Sequence, residues 1–530
     1  MSESHSEERA SRSRASGAAD PDVVDPFSIA VLDPSTAPRV PAGPDEVPRV
    51  LPTVYVVDRL LVETPASDAG GVAETVQKAL GEAGVDVAVR QIQTPRDGIP
   101  GFERLNGAAK EALEEVWVTG VWLAPSNKAT AIDAYSAVTA LRSSAAASTS
   151  GIALDHVLVA STPLVGIGKY WPGIGKYWPG IGGPSDAGAA SLFNGDGRIP
   201  VYVPMGNPAR HWPVPVRPPV VALPDTGIGH HPWFDADPSV TIGTDVGGIP
   251  IGGTNADLTR VVDPMTGDLA DLAGHGTFIA GLIRQSCPEA RILSVPVMSS
   301  AGLADEMVVR QNLALLLARH IDAQERDDPS GVIDVLSISM GYYPEQDDTA
   351  STQGFRRLFE LFGERGVLVV AGAGNDATSR GFAPAVFAAG GADGVPLTSV
   401  GAQNPNGRTA ALFSNDGPWV RVLRPGVSVV STVPTTFDAG GQPSAEAEGV
   451  AVAGASGLVT RARGTQDPDD YRSGFGIWSG TSFSAPLFAG SLAARLAEAD
   501  DLADVGQSTM STRAGRVLGE VLTGPEEDPT

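Results

Sequence analysis

Gly480-Thr481-Ser482-Phe483-Ser484-Ala485-Pro486 is the stretch that most narrows the fold and the function of this chain. A serine between small residues is followed by an apolar run at helical spacing, which predicts a hydroxyl at the start of a helix. Small neighbours let a substrate backbone approach, and the helix dipole favours negative charge that develops there. An ordinary serine helix cap has the same pattern, so the stretch alone leaves both interpretations open.

Two other stretches favour a nucleophile. The segment 220–227 is an apolar strand that ends in the carboxylate of Asp225 and a tight turn, and the segment 274–281 carries His275 at the start of a small-residue helix. The three residues follow the order Asp…His…Ser, which is one of the orders in which catalytic triads occur. We therefore expect Ser482 to be the nucleophile, His275 its base, and Asp225 the group that orients the imidazole.

These motifs resemble those of the subtilisin-like (S8, subtilase) serine peptidases. Three later segments, 367–376, 413–415 and 424–427, and the earlier segment 335–341 are also similar to landmarks of that family. The resemblance implies that Asn375 supplies an oxyanion-hole amide. It also implies that four residues bind the substrate backbone: Ser339, Met340, Gly341 and Gly374.

The resemblance covers roughly residues 200–524 and implies an α/β fold with a doubly wound, mostly parallel sheet. Strand and helix patterns alternate from residue 220 to residue 371, as a parallel sheet requires. Asp225, Ser339 and the turn at 372–375 then follow the carboxyl ends of strands, which is where such sheets place their sites.

The segment 49–160 carries a separate pattern, β-α-β-β-α-β, which predicts a small ferredoxin-like α+β domain. It resembles the propeptide domain that many subtilases use as a folding chaperone and inhibitor. We therefore expect it to pack on the catalytic face, near helices predicted at Asp305–His320 and Gly354–Arg365. An accessory domain that binds a partner is the alternative.

The rest of the chain is predicted to consist of tails and one connector. Residues 1–48 alternate charged, Ser and Pro residues and predict a disordered tail, and residues 525–530 form a second tail. The Gly/Pro-rich connector at 161–199 contains GIGKYWP twice, which is too few copies for a repeat fold. We expect the connector to pass the cleft and to be cut there.

Composition limits the partners. The chain has 530 residues, 37 Lys and Arg against 62 Asp and Glu, and a formal net charge of −25. Such a surface repels nucleic acid and anionic lipid, so neither is an expected partner. The family resemblance implies polypeptide substrates. The N-terminus lacks the apolar run of a signal peptide, which predicts a cytoplasmic protein, with secretion left open. The single cysteine, Cys287, excludes an intramolecular disulfide.

Two departures from the family pattern and one open question remain. Pro224 precedes Asp225 and removes a backbone donor, and the long spacing from Asp225 to His275 predicts an insertion near the cleft around residues 247–254. Many subtilases bind calcium, but no aspartate cluster is assignable to such a site. The pair His230-His231 is read as a surface loop, so no cofactor is required and metal binding is left open.

Two other functions stay open. The chain could be a pseudoprotease that binds a partner, or a processing peptidase of narrow specificity. By the resemblance, the segment 335–341 is the cleft strand, the strand that lines the substrate cleft. Tyr342 and Tyr343 lie directly after it and could restrict the substrates.

Overall fold

The computed structural model describes most of the chain. The described residues are 28–32, 50–63, 71–91, 102–126, 131–143, 151–160, 198–204, 206–210, 217–259, 261–263, 267–345, 349–389, 397–439, 446–447, 449, 451–454, 457–460, 463–464 and 470–523. The GIGKYWP repeat, most of the connector and most of both predicted tails lie outside these residues.

The described residues of the N-terminal domain form five strands, three α-helices and a short 3-10 helix at Phe102–Arg104. The strands are β1 (Ile29–Val31), β2 (Val54–Glu63), β3 (Val87–Gln91), β4 (Val118–Pro125) and β5 (Ile152–Ala160), and the helices are α1 (Val72–Glu82), α2 (Gly107–Val116) and α3 (Ala134–Ser143). The strands β5-β2-β4-β3 lie in that order and all neighbours run antiparallel. This arrangement confirms the predicted ferredoxin-like α+β domain.

Two details of this domain differ from the sequence-based expectation. Residues Ile29–Val31 fall within the predicted disordered tail, but they pair with Val54–Val56 of β2, in the part of that strand that β4 does not reach. That part of the prediction is wrong, because a short apolar run can bury itself on an existing sheet edge even when its flanks are polar.

Helix α2 is an addition between β3 and β4, and it begins with an N-cap in which the Asn106 side chain accepts from the Ala109 amide at 2.7 Å.

The remaining described residues form the larger part of the protein. Its strands are β6 (Ile199–Pro200), β7 (Val220–Asp225), β8 (Val240–Ile242), β9 (Thr244–Val246), β10 (Ile249–Ile251), β11 (Arg291–Pro296), β12 (Leu303–Asp305), β13 (Val335–Ile338), β14 (Met340–Gly341), β15 (Leu368–Gly372), β16 (Leu397–Gln403), β17 (Val422–Pro425), β18 (Val429–Thr432), β19 (Glu446–Ala447), β20 (Ala451–Gly454), β21 (Gly457–Thr460), β22 (Arg463–Gly464) and β23 (Phe475–Trp478). Its helices are α4 (Ala256–Thr259), α5 (His275–Ser286), α6 (Glu306–Glu325), α7 (Thr349–Glu364), α8 (Thr481–Ala497) and α9 (Gln507–Thr523).

A seven-stranded parallel sheet organises this part, in the order β17-β16-β15-β13-β7-β11-β8. Its central strands are buried along their whole length, as expected for a sheet covered on both faces. The predicted doubly wound sheet is therefore confirmed. The helices expected at 305–320 and 354–365 are α6 and α7, each a few residues longer than predicted.

The proline before Asp225 is accommodated at the strand end. β13 pairs with β7 only at Val221 and Ala222, so Pro224 lies beyond the last β7 residue in that ladder. The ladder with β11 continues to Asp225. Because a proline lacks only the amide donor, a position past the end of one ladder costs little.

The N-terminal domain and the larger part share a sheet. β5 pairs antiparallel with β12 at residues 157–159 and with β14 at residues 159–160. Helix α2 packs against α6 and α7. In the part of the chain that the structure describes, no helix is both long enough and apolar enough to cross a bilayer.

Candidate active site

Asp225 and His275 form a buried pair. Asp225 ends β7 and His275 begins α5, and His275 Nδ1 lies 2.8 Å from Asp225 Oδ1. The Asp225 carboxylate also accepts from the Thr226 amide at 2.8 Å. A carboxylate in this position accepts the proton on Nδ1, so Nε2 is the nitrogen left to act as a base.

The start of α5 is held in place by two neighbours. The Gly276 amide donates to Thr226 Oγ1 at 2.8 Å, and a Cβ at Gly276 would lie 2.2 Å from the Gly227 carbonyl oxygen. Only glycine therefore lets the helix approach the turn that carries Asp225. Asp257 of α4 accepts from the Gly274 amide at 2.8 Å and from the Thr277 amide at 3.1 Å, which caps the helix.

Asp257 is a residue that the sequence analysis missed. It is buried, and burial raises the pKa of its carboxyl to about 6, although hydrogen bonds such as that from Thr277 Oγ1 oppose the rise. Its role depends on a contact across 17 residues that has no local pattern. The sequence indicates this role only weakly, because Asp257 is simply an acidic residue in the long segment between Asp225 and His275.

Ser482 is the second residue of α8 and is fully buried. Its Oγ donates to the Ser339 carbonyl at 3.2 Å, and Ser339 Oγ donates to the Ser482 carbonyl at 3.0 Å. The Ser482 carbonyl is available because Pro486, four residues on, has no amide to donate in the helix. The ring of Phe483 lies 5.5 Å from that of His275, centroid to centroid, so the start of α8 adjoins the histidine.

Asn375 lies in the turn that follows β15 and faces the start of α8. Its Oδ1 accepts from the Thr481 amide at 2.9 Å, which fixes the orientation of the amide group. Its Nδ2 is buried and has no hydrogen-bond partner among the described residues. An unpaired buried donor costs about 1–3 kcal/mol, so a donor in this state is suited to an anion that forms only during a reaction.

The turn around Asn375 is supported from beneath by Asn415. Asn415 Oδ1 accepts from the Asp376 amide at 3.0 Å, and its Nδ2 donates to the Ala373 carbonyl at 2.9 Å. Gly374 has a φ of 95°, and both its backbone groups are engaged: the amide donates to Thr481 Oγ1 and the carbonyl accepts from the Asn415 amide.

The predicted cleft strand is already paired. Met340 and Gly341 lie opposite Ala160 and Val159 of β5, and the Ala160 amide donates to the Gly302 carbonyl on the other side at 3.1 Å. β5 therefore lies between β12 and β14 as an extended peptide would. Main-chain pairing of this kind binds a strand with little regard to its sequence.

Tyr342 and Tyr343 are both buried. Tyr343 OH donates to Asp376 Oδ2 at 2.6 Å, so this side chain supports the Asn375 turn. Tyr342 stacks against His156 of β5, with ring centroids 4.3 Å apart.

The insertion between Asp225 and His275 forms the hairpin β9–β10, which is turned at Gly247 and Gly248, both with positive φ. The hairpin packs against α6, and the Gly252 amide donates to Asn312 Oδ1 at 2.6 Å. The chain then returns to the site through Asn255, whose Nδ2 donates to the Ile228 carbonyl at 2.8 Å.

The described residues include no group of three or more His, Cys, Asp or Glu side chains that could hold a metal ion. The ring of His230 points outward, with its side chain 60% exposed, whereas His231 is buried against Trp233 and Phe475.

The larger part of the chain is similar to known proteins. The model of the subtilase family matches residues 217–514, which is more than half of the chain. A thermophilic serine proteinase from a Bacillus species is 30% identical over 224 residues, which are 40% of this chain and 45% of that protein. A subtilase-type proteinase of Saccharomyces cerevisiae is 28% identical over 165 residues, which are 30% of each chain. This chain thus spans less than half the length of either relative.

One similar solved structure is fervidolysin from Fervidobacterium pennivorans, a keratinolytic enzyme related to subtilisin. Its TM-score is 0.42 and its sequence identity to this chain is 17%. The match covers 83% of this chain and 55% of that one. A cold-adapted subtilisin-like serine proteinase matches with a TM-score of 0.35 and 19% identity, over 61% of this chain and 88% of the other.

Proposed function

The chain belongs to the subtilase family, and we propose that it is a serine endopeptidase that uses Asp225, His275 and Ser482 as its catalytic triad. The observation that carries the proposal is the buried pair of His275 Nδ1 and Asp225 Oδ1, 2.8 Å apart, next to the start of the Ser482 helix. The family and the fold are compatible with other roles, but a pseudoprotease has no need of this pair.

In this reaction His275 Nε2 removes the proton of Ser482 Oγ as the oxygen attacks the carbonyl carbon of the substrate. The carbonyl oxygen becomes negative and is stabilised by Asn375 Nδ2 and the Ser482 amide. His275 then protonates the leaving amine as the C–N bond breaks, and a water molecule releases the acyl group by the same route. Asp225 stabilises the imidazolium and stays ionised throughout.

We further propose that the N-terminal domain inhibits the peptidase until it is removed. Three contacts support this role: β5 fills the cleft between β12 and β14, the Met307 amide at the start of α6 donates to Asp155 Oδ1 at 3.0 Å, and Arg59 bridges Asp155 and Asp305 at 2.9 and 2.5 Å. Because β5 ends at Ala160, the chain leaves the cleft strand next to Ser339 and Ser482. We expect the first residues of the connector to be cut.

The test uses the full chain and two serine variants of the same helix. Wild type is expected to react with a fluorophosphonate probe, to hydrolyse casein and to yield a fragment that ends within the first residues after Ala160. Ser482→Ala is expected to lose all three properties. Ser491→Ala, which removes a hydroxyl bonded only to the Leu487 carbonyl of its own helix, should keep them. Hydrolysis by Ser482→Ala at the wild-type rate would refute the triad.

A further inference from the structure

Glu306, Tyr342 and Glu345 form an acidic pocket in the peptidase part, and in this structure it holds His156 of β5. His156 Nδ1 lies 2.7 Å from Glu306 Oε2, and Nε2 lies 2.8 Å from Glu345 Oε2. The imidazole stacks on Tyr342 with an interplanar angle of 19°. Because both ring nitrogens face carboxylates, the imidazole is held as a cation that donates twice.

The charges around the acidic pocket come from both parts of the protein. The second oxygen of Glu306 lies 3.3 Å from Arg310, which also bonds Glu63 at 2.9 Å, and the second oxygen of Glu345 lies 3.3 Å from Arg142. The N-terminal domain supplies three of the charged groups: His156, Arg142 and Glu63. It therefore brings two cations and one anion, a net charge of +1. This charge balances the net charge of −1 that Glu306, Glu345 and Arg310 carry together.

Removal of the N-terminal domain leaves the acidic pocket with two carboxylates and one cation, Arg310. Both carboxylates are fully buried in the intact protein, and a carboxylate without a partner in such a cleft is strongly unfavourable. The face of Tyr342 would also become available. Two carboxylate oxygens over an aromatic ring attract a planar cation more strongly than a compact ammonium group.

The strand register tells which residue of a substrate would enter the acidic pocket. Ala160 lies opposite Met340, so the next position of a strand in this register faces Ser339, whose carbonyl is 3.2 Å from Ser482 Oγ. A substrate bound in the same register would therefore have the residue before its scissile bond, P1, at Ser339. The residue at the place of His156 is then the sixth before the bond, P6.

We propose that the acidic pocket is a substrate subsite that selects a planar cation, arginine or protonated histidine, at P6. This inference rests on the proposed endopeptidase function and adds a preference to it. It predicts that polypeptides with a basic residue six positions before the cut are the preferred substrates.

The test compares internally quenched peptides that differ only at P6, with Arg, His, Lys, Gln or Glu, and uses purified full-length enzyme that has reached constant activity. We expect kcat/KM to be about tenfold higher for Arg than for Gln, as a charge-assisted hydrogen bond would give. Lys should fall between them and Glu below both. A peptide with the same arginine moved to P7 serves as the matched control and should behave like the Gln peptide.

Two variants then assign the preference to the pocket. Glu345→Gln should reduce the advantage of Arg over Gln to less than about threefold. The control variant is Glu498→Gln, at the residue that follows α8, where the side chain is 66% exposed. It should keep the full advantage of Arg over Gln. The wild-type comparison does not depend on the folding of any variant.

The outcomes separate the two proposals. Hydrolysis of all the P6 peptides at equal rates would overturn the subsite and leave the endopeptidase intact. Failure to hydrolyse any peptide or casein would overturn the endopeptidase function itself.

Discussion

Ser339 and Ser482 exchange two hydrogen bonds: each hydroxyl donates to the main-chain carbonyl of the other, at 3.0 and 3.2 Å. The pair joins the end of the cleft strand to the start of the nucleophile helix. A substrate that extends the strand pairing to Ser339 would donate its own amide to the Ser339 carbonyl. That amide would compete with the Ser482 hydroxyl for the carbonyl, so under the proposed mechanism substrate binding would favour a shift of this hydroxyl towards His275.

The first prediction tests why Ser339 Oγ bonds the Ser482 carbonyl, which we attribute to the missing amide of Pro486. Ser339→Ala should lower the free energy of unfolding by about 1–2 kcal/mol, because the Ser482 carbonyl loses the hydrogen bond that Ser339 Oγ donates in a buried site. In a Pro486→Ala background the cost should fall below about 1 kcal/mol, because residue 486 would regain an amide that can donate to that carbonyl. Chemical denaturation of full chains that also carry Ser482→Ala, which prevents self-digestion, measures both values. Equal costs in the two backgrounds would contradict this explanation.

The second prediction separates the two halves of the Asn375 amide. Asn375→Ala should lower kcat on the order of 10²–10³-fold, as loss of an oxyanion donor does, and leave KM nearly constant. It should also lower the melting temperature, since Oδ1 accepts from the Thr481 amide. Asn375→Asp keeps that acceptor and removes the donor, so it should lose kcat without the same loss of stability. An effect on KM alone would move Asn375 to substrate binding.

The main sheet and the three motif residues could be predicted because local patterns encode them. Apolar runs of four to six residues predicted β7, β13 and β15, and the residues that follow these strands meet at one edge of the sheet. The helix start at His275 and the helix start at Ser482 were predicted from small residues ahead of an apolar run. The roles of the three residues remain predictions until variants are assayed.

Contacts between segments distant in the chain could not be predicted. Asp257 caps α5 across an insertion, and Arg380 donates to the Pro52 carbonyl of the N-terminal domain at 2.7 Å. Neither residue lies in a pattern that differs from an ordinary charged surface position. The strand Ile29–Val31 was missed for a related reason, because its partner, and not its own length, makes it stable.

The third prediction uses two helix glycines as a matched pair. Gly276→Ala places a Cβ 2.2 Å from the Gly227 carbonyl oxygen. It should therefore push His275 away from Asp225, with a loss of activity of at least about 10²-fold, as a 1 Å displacement of catalytic groups can cause. Gly519→Ala in α9 has no atom within 4 Å of the new Cβ, and it should raise stability by up to about 1 kcal/mol. Casein hydrolysis and thermal unfolding of both variants provide the measurement.

The last prediction concerns pH and the docking of the N-terminal domain. Burial lowers the pKa of His156, but the hydrogen bonds that it donates to Glu306 and Glu345 outweigh burial and raise it to about 10. Because the docked pKa is above that of a free histidine, about 6.5, the stabilisation is complete below pH 6.5 and is lost as the pH rises towards 10. Burial also raises the pKa of Asp155 to about 7, so this carboxyl adds a weakening of docking that takes place as the pH rises from about 4 to about 7.

The N-terminal domain should therefore inhibit most strongly at mildly acidic pH and dissociate more readily above pH 8. The two carboxylates that hold His156 also contact Arg142 and Arg310. We expect the lag before casein hydrolysis by the full chain to shorten as the pH rises from 6 to 9. His156→Gln keeps a hydrogen-bond donor and removes the titrating charge, so its lag should be shorter at pH 6 and depend less on pH. A lag in His156→Gln as long and as pH-dependent as in wild type would show that this contact does not control docking.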